Sequence, residues 1–406
     1  MVAGCGGSGS GGPVTLNWFI ANQPGGSVQE VAKRCTDQSN GQYQIEVQLL
    51  PAAASDQREQ LVRRLAAKDS TVDLIGMDVI WTAEFANAGW IRPFPSAQAN
   101  QVTKGVFPSV IKTASFENKV YGAPFNSNTQ LLWYRTDLVK KPPTTWDQMI
   151  AQAKTLAAAG KPHTILVQGN KYEGFVVWFN ALLASAGGQI LSGPGTVALQ
   201  QGPTDKALEV MGSLANSVAA APDLDTAIEG TGGSQEFETG SAAFMVNYTF
   251  AYGSAQADNP AIGKVMGSAR YPRVVPNLPS KPPLGGFNIG VGAYSSHPDL
   301  DFQAAACIGD AQSELIATKD DGLPPSRPAL YSSKIVTDAY PGFAGLVKSS
   351  IESAGPRPLS PAYQDVSLAI QDTLHPASSI DPNDVGTTYD DLRSSLQDAV
   401  ERKGLF

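Results

Sequence analysis

Asp78, Glu84 and Glu229 are the carboxylates that invite a chemical reading, because glycoside hydrolysis needs two acids flanking one bond. The rest of the sequence gives catalysis no support. There is no Gly-x-Ser-x-Gly elbow, no Gly-x-x-x-x-Gly-Lys-Ser/Thr phosphate loop and no His-Glu-x-x-His. His163, His297 and His375 are widely spaced, and the last two directly precede proline, so neither a triad nor a metal site is expected. Isolated acids on an acidic chain are ordinarily solvated. A different chemistry fits Trp81, Asn126, Asn128, Tyr248, Phe287 and Arg357. Aromatic faces stack on the apolar side of sugar rings, while Asp, Asn, Gln and Arg satisfy hydroxyls in a polar, preformed cleft. The competing reading is structural: aromatics in the core, amides satisfying turn backbone, and Arg357 paired with a surface acid.

These residues need elements to place them. Val14 to Ile20 alternates and is rich in β-formers, and the turn Asn22-Gln23-Pro24-Gly25-Gly26 leads into a helix from about 28 to 39 with Ser27 as its N-cap. A strand over 43–50, a helix over about 55–67 and the apolar strand 72–77 continue a βαβ alternation, which predicts a mostly parallel sheet. Asp78 closes the third strand at its carboxyl end, where open α/β sheets bind ligands. Residues 123–128 read as a first crossing between domains. Later come helices over 145–159, 173–186 and 204–217, and the buried strand Phe244 to Tyr248, preceded by a helix that stops at Gly240. A strand over 285–293, a helix over 300–313, the turn Gly322 to Arg327 and two closing helices complete the chain. No repeat recurs at a fixed period.

A chain of 406 residues exceeds what one core organises, so two domains are expected. With 42% hydrophobic residues it has material for them and is not a disordered chain. A net charge of -8, with no basic cluster among 29 Lys and Arg, argues against nucleic acid as a partner. The most apolar run, Phe175 to Ala186, is too short to span a bilayer.

Val2-Ala3-Gly4-Cys5 resembles the end of a bacterial lipoprotein signal, in which small residues precede a Cys that becomes lipidated; the alternative is an arbitrary boundary. The Gly/Ser run from Gly6 to Gly12 would act as a tether behind that anchor. Cys35 and Cys307 either form a disulfide or sit as two buried small hydrophobes.

The segment from Asp73 through Asp78, Trp81 and Glu84 to Trp90 resembles the signature of extracytoplasmic sugar-binding proteins of ABC importers. Tyr121-Gly-Ala-Pro124, Leu131 to Asp137, Phe237 to Phe244, Gly285-Gly286-Phe287, Gly322 to Arg327 and Arg357-Pro358 agree in order, so the resemblance covers nearly the whole chain beyond the tether. It is most similar to the maltose/trehalose-binding group, and within it to the actinobacterial trehalose-recycling lipoproteins. The resemblance implies an α/β, two-lobed periplasmic-binding-protein-like fold (type II), hinge-joined, each lobe a mostly parallel sheet flanked by helices. Residues 1–13 would be the anchor and tether, 14–125 with 285–330 the N-terminal lobe, and 126–284 with 331–406 the C-terminal lobe. It further implies a monomer on the outer face of the cell membrane that captures a disaccharide, trehalose first, and delivers it to permease subunits without a cofactor. Maltose-type oligosaccharides, a modified trehalose or a glycerophosphodiester are the alternative ligands, and a hydrolase using Asp78 and Glu229 the alternative activity. Carried over by position, Asn22, Gln23, Arg58, Asp78, Asn126, Asn128, Tyr248, Gly286, Phe287 and Arg357 are the ligand-binding set. Three departures bear on which sugar fits: Gln23 stands where an acid is typical, Tyr248 replaces a Trp, and the acid expected near Gly230 is either displaced to Glu229 or absent.

Overall fold

The computed structural model describes residues 12–51 and 53–401. Val14–Ala21 (β1), Ser27–Gln38 (α1), Tyr43–Leu50 (β2), Ala54–Ala66 (α2) and Leu74–Asp78 (β3) alternate as the patterning predicts, and Thr82–Asn87 (α3) follows at once. Leu16, Trp18, Phe19 and Ile20 of β1 and Leu74, Ile75 and Met77 of β3 are all buried, as suits central strands covered on both faces. β2 runs parallel to β1 at the sheet edge. Ser27 does not cap α1. Gly26, at φ 85°, precedes the helix without a side-chain cap, and the Gly25 and Ser27 amides donate instead to the Asp321 carboxylate. A distant acid thus neutralises the positive helix end.

Gly122–Pro124 (β4) ends the first passage, and residues 125–129 lead to a second sheet. There Gln130–Arg135 (β5), Thr164–Leu166 (β6), the helix Glu173–Ser185 (α4), Ala242–Tyr248 (β7) and Met266–Ala269 (β8) follow in turn, with strand order β8-β5-β7-β6. The apolar run 175–186 is this α4: Phe175 through Leu183 are all buried in the second lobe's core. Among the described residues, no helix is long and apolar enough to cross a membrane. Phe287–Val291 (β9) then returns and inserts between β3 and β4, antiparallel to both.

The two-lobed α/β architecture is as expected, but the sheets are mixed rather than mostly parallel. Within these two sheets, as far as the described residues go, β2-β1-β3 and the β7–β6 pair are parallel and the other pairings antiparallel. A parallel neighbour requires a crossover that re-enters the sheet from the same end; β9 instead arrives from the other lobe, and β5 is antiparallel to both β7 and β8. Pro298–Ile308 (α5) and Ala311–Asp321 (α6) replace the single helix expected over 300–313. The break falls at Gly309-Asp310, where the Asp310 carboxylate accepts the Ser313 amide (2.9 Å) and caps α6. Tyr363–Leu374 (α7) packs against α4 and the last helix, Gly386–Glu401.

Cys35 of α1 and Cys307 of α5 form a disulfide across 272 residues, fastening the returning segment to the first helix. Arg34 beside it donates to Asp310 Oδ2 (2.6 Å) and Ser313 Oγ (2.6 Å). Three connecting segments meet between the lobes. Asn128 and Gly285 exchange both backbone hydrogen bonds (2.9 and 2.8 Å), and the Ser127 amide donates to Pro324 O (2.8 Å). The 322–327 turn is held from both lobes: Tyr340 Oη and Thr249 Oγ1 donate to Gly322 O, and Ser326 and Arg327 donate to the fully buried Glu314. Burial pushes the Glu314 carboxyl up to about 7 against the pull of Arg327.

Candidate functional site

Asp78 ends β3 on the edge where β1 also ends, and Arg357 reaches it from the other lobe. Arg357 Nη2 donates to Asp78 Oδ1 (3.2 Å), and Nη1 donates to Glu173 Oε1 (2.5 Å) at the start of α4. The Arg357 side chain is only 4% exposed, against 21% for Asp78 and 16% for Glu173. Burial opposes its charge, but the Asp78 and Glu173 carboxylates outweigh that and hold its pKa well above the ordinary arginine value. Asp78 Oδ1 also accepts the Ile80 amide (3.2 Å), closing the turn after β3. Oδ2 accepts nothing from the described residues, which leaves it free to take a ligand hydroxyl.

Tyr248 ends β7 and is half-buried. The buried Asn247 positions it: Asn247 Oδ1 accepts the Tyr248 amide (2.8 Å), and Nδ2 donates to Glu229 O (2.8 Å), tying the glycine-rich 230–234 segment to the strand end. Burial and the Glu229 charge push the Tyr248 phenol up, with Arg357 opposing. Glu229 is raised as well, mainly by burial, while the Tyr172 hydroxyl and Arg357 work the other way. Gly174 leaves room for that tyrosine, since a Cβ there would lie 2.1 Å from Tyr172 Oη. Glu229, the acid next to Gly230, thus lies within the electrostatic reach of Arg357. Three carboxylates, Asp78, Glu173 and Glu229, share the electrostatic surroundings of a single guanidinium.

The predicted residues next to Asp78 lie on the hinge. Phe287 pairs with Asp78 in register, and Val79 donates to Gly286 O (3.2 Å). Gly286 has φ 126°, and a Cβ there would lie 2.3 Å from Asn126 O, so no other residue fits. Asn126 Oδ1 accepts the Phe287 amide (2.9 Å), and its Nδ2 donates to Asn128 Oδ1 (2.9 Å). Asn126 is thus a buried hinge brace, and Asn128 keeps some exposure. Asn22 is exposed and Gln23 half-buried, just past the end of β1 on the Asp78 edge.

Two expectations are corrected. Trp81 is 2% exposed and stacks on Phe85 (5.9 Å, 20°) in the first lobe's core; the chain turns inward immediately after Asp78. Arg58 is committed to Glu84, its Nε donating to Oε2 (2.8 Å) and Nη2 to Oε1, so its fork already has a bidentate partner. Glu173 and Tyr363 are the residues that sequence reasoning missed. The Tyr363 hydroxyl and Ser367 Oγ (2.6 Å) both donate to Glu173, contacts that span 190 and 194 residues and leave no local signal. Cys5 and its lipidation lie outside the described residues. Among those residues, no group of three or more His, Cys, Asp or Glu is placed to hold a metal.

Residues 22–311, well over half of the chain, match the family described as bacterial extracellular solute-binding protein. The chain belongs to that family. As a solute-binding protein it is a binder rather than an enzyme and works outside the cytoplasm. It is 27% identical over 309 residues to a probable ABC transporter-binding protein of Deinococcus radiodurans, covering 72% of this chain and 71% of that one. It is 26% identical to the diacetylchitobiose binding protein DasA of Streptomyces coelicolor, over 55% of this chain and 53% of the relative. In fold it resembles maltose-bound MalE3 of T. maritima (TM-score 0.84, 24% identity, 96% and 100% of the two chains). The GacH receptor of Streptomyces glaucescens, solved unliganded and with acarbose, is also similar (TM-score 0.80, 20% identity, 96% and 98%).

Proposed function

We propose that this solute-binding protein captures an α-linked disaccharide, trehalose first, between its lobes and delivers it to the permease subunits of an ABC importer. The observation that carries the reading is the Asp78–Arg357 pair, which joins the lobes beside the half-buried Tyr248. In this reading Asp78 Oδ2 and Arg357 grip hydroxyls from opposite lobes and Tyr248 stacks on a ring, with Asn128 and Phe287 at the hinge side and Asn22 and Gln23 at the end of β1. Because the sugar contacts both lobes, it favours the closed arrangement by its differential affinity for it. The protein acts as a monomer, held at the outer membrane face through lipidated Cys5 and the Gly/Ser tether.

Relatives in fold that carry maltose or acarbose support an α-glucoside, and maltose-type oligosaccharides are the second reading. Three carboxylates against one guanidinium disfavour an anionic glycerophosphodiester. Calorimetry of the purified protein against trehalose, maltose, maltotriose and glycerophosphoglycerol tests this. Heat with trehalose and none with glycerophosphoglycerol is expected; binding restricted to glycerophosphoglycerol refutes it.

A further inference from the structure

Glu173 opens α4 on the second lobe, and both of its oxygens are occupied by protein donors. Oε1 accepts Arg357 Nη1 and the Tyr363 hydroxyl, and Oε2 accepts Ser367 Oγ, which is itself held by Gln371 Nε2 (3.0 Å). A carboxylate so engaged has little capacity left for a sugar hydroxyl. Two of its partners leave their own lobe. Arg357 reaches Asp78, and the Tyr363 ring, 2% exposed, packs in the first lobe's apolar cluster with Phe19, Trp81 and Phe85. One acid on the second lobe therefore gathers a polar and an apolar contact that both engage the first.

We propose that Glu173 is a positioning residue for ligand capture, holding Arg357 and Tyr363 together so that both meet the first lobe when the cleft closes on a sugar. The proposal rests on reading the cleft as a sugar site. Glu173 touches no ligand; it fixes the plane of the guanidinium that does, and seats the ring that pins the lobes. A planar five-donor fork loses its directional value once it swings freely, so the effect of losing Glu173 is felt at Arg357.

The test is Glu173→Gln in the full chain, with Ser367→Ala as a milder second variant acting through the same carboxylate. The reporter is the Arg357 Nε–H proton, which is buried and meets no acceptor among the described residues; its NMR cross-peak is assigned by its loss in Arg357→Lys. Without sugar, that peak is expected in the wild type, shifted and exchanging at least about 10-fold faster with water in Glu173→Gln, and less affected in Ser367→Ala. Affinity for trehalose or maltose is expected to weaken about 10-fold in Glu173→Gln, the scale of one charged hydrogen bond. A peak unmoved in both variants overturns the proposal, as does a moved peak with unchanged affinity. A wild type that binds neither sugar while the peak moves refutes the sugar reading alone and leaves the holding of Arg357 established.

Discussion

Arg357→Ala is the perturbation that best separates a buried ionic centre from an ordinary ligand contact. Removing the guanidinium leaves Glu173 and Asp78 facing each other's charge without their cation, and the Tyr363 and Ser367 hydroxyls on Glu173 do not replace it. Breaking a buried ion pair by deleting one partner costs about 3–5 kcal/mol. The two carboxylates keep 16% and 21% exposure, so water reaches them in part, which places the expected loss near the lower figure, about 3 kcal/mol. Asp78→Ala should cost under about 1 kcal/mol, because Arg357 retains Glu173 and the deleted side chain is the most exposed of the three. Both variants lose sugar binding, yet only one loses stability. Urea unfolding followed by tryptophan fluorescence reads the difference, since Trp18, Trp81 and Trp90 report the first lobe and Trp133, Trp146 and Trp178 the second. The double variant Arg357→Met with Glu173→Gln, which removes the cation and its buried partner together, should recover at least about 1 kcal/mol of the loss. An Arg357→Ala protein as stable as the wild type would show that the guanidinium does not sit between the two acids, and the site as described would be wrong.

Asp301 is wholly buried in α5, neither carboxyl oxygen has a hydrogen-bond partner among the described residues, and burial, aided by nearby Asp73 and opposed by Ser295 and Arg92, pushes it up to about 7. Such an acid leaves stability untouched below about pH 4 and lowers it as pH rises toward 7, so Asp301→Asn should match the wild type at pH 4 and exceed it at pH 8. The interval from 3.8 to about 7, at ~1.4 kcal/mol per pH unit, sets a ceiling of about 4 kcal/mol on the gain, and parallel urea midpoints at the two pH values check it. Gly286→Ala, which drives a Cβ into Asn126 O, is expected to cost about 2–4 kcal/mol and to impair sugar binding, read by thermal melting and calorimetry. Reducing Cys35–Cys307 should lower stability by about 2–5 kcal/mol, a loss seen as a lower urea midpoint once thiol labelling confirms the reduction.

Much of the first lobe was legible because its elements follow one another locally. The apolar runs of β1 and β3 and the glycine turns between them need no distant partner to be recognised, and Asp78 falls at a strand's carboxyl end for the same reason. Strand direction was less accessible. The orientation of β9 depends on which gap in the sheet a segment nearly 300 residues along the chain happens to fill, and local periodicity carries no such information. Aromatic type alone did not distinguish Tyr248, half-exposed at a strand end, from Trp81, which turns into the core three residues past Asp78. Glu173, Arg357 and Tyr363 come from three distant stretches, so their meeting is a property of the lobe arrangement. Arg58 and Glu84, a bidentate pair 26 residues apart, lie on separate helices whose relative placement the sequence does not encode locally.

The insertion of β9 between β3 and β4 sets an order of events during synthesis. Until Phe287–Val291 has been made, β3 and β4 have no strand to join them, and the N-terminal segments remain an open-edged sheet, whereas every strand of the second sheet is already present by Ala269. The sheet that begins the chain is therefore closed after the one nested inside it, although the helices Tyr363–Leu374 and Gly386–Glu401 that cover the second sheet come later still. Long-range closure of this kind is slow and exposes unpaired edges while it waits. The disulfide joining Cys35 to Cys307 can form only after that late step, and so it marks, in covalent form, that the last strand of the outer sheet has been made.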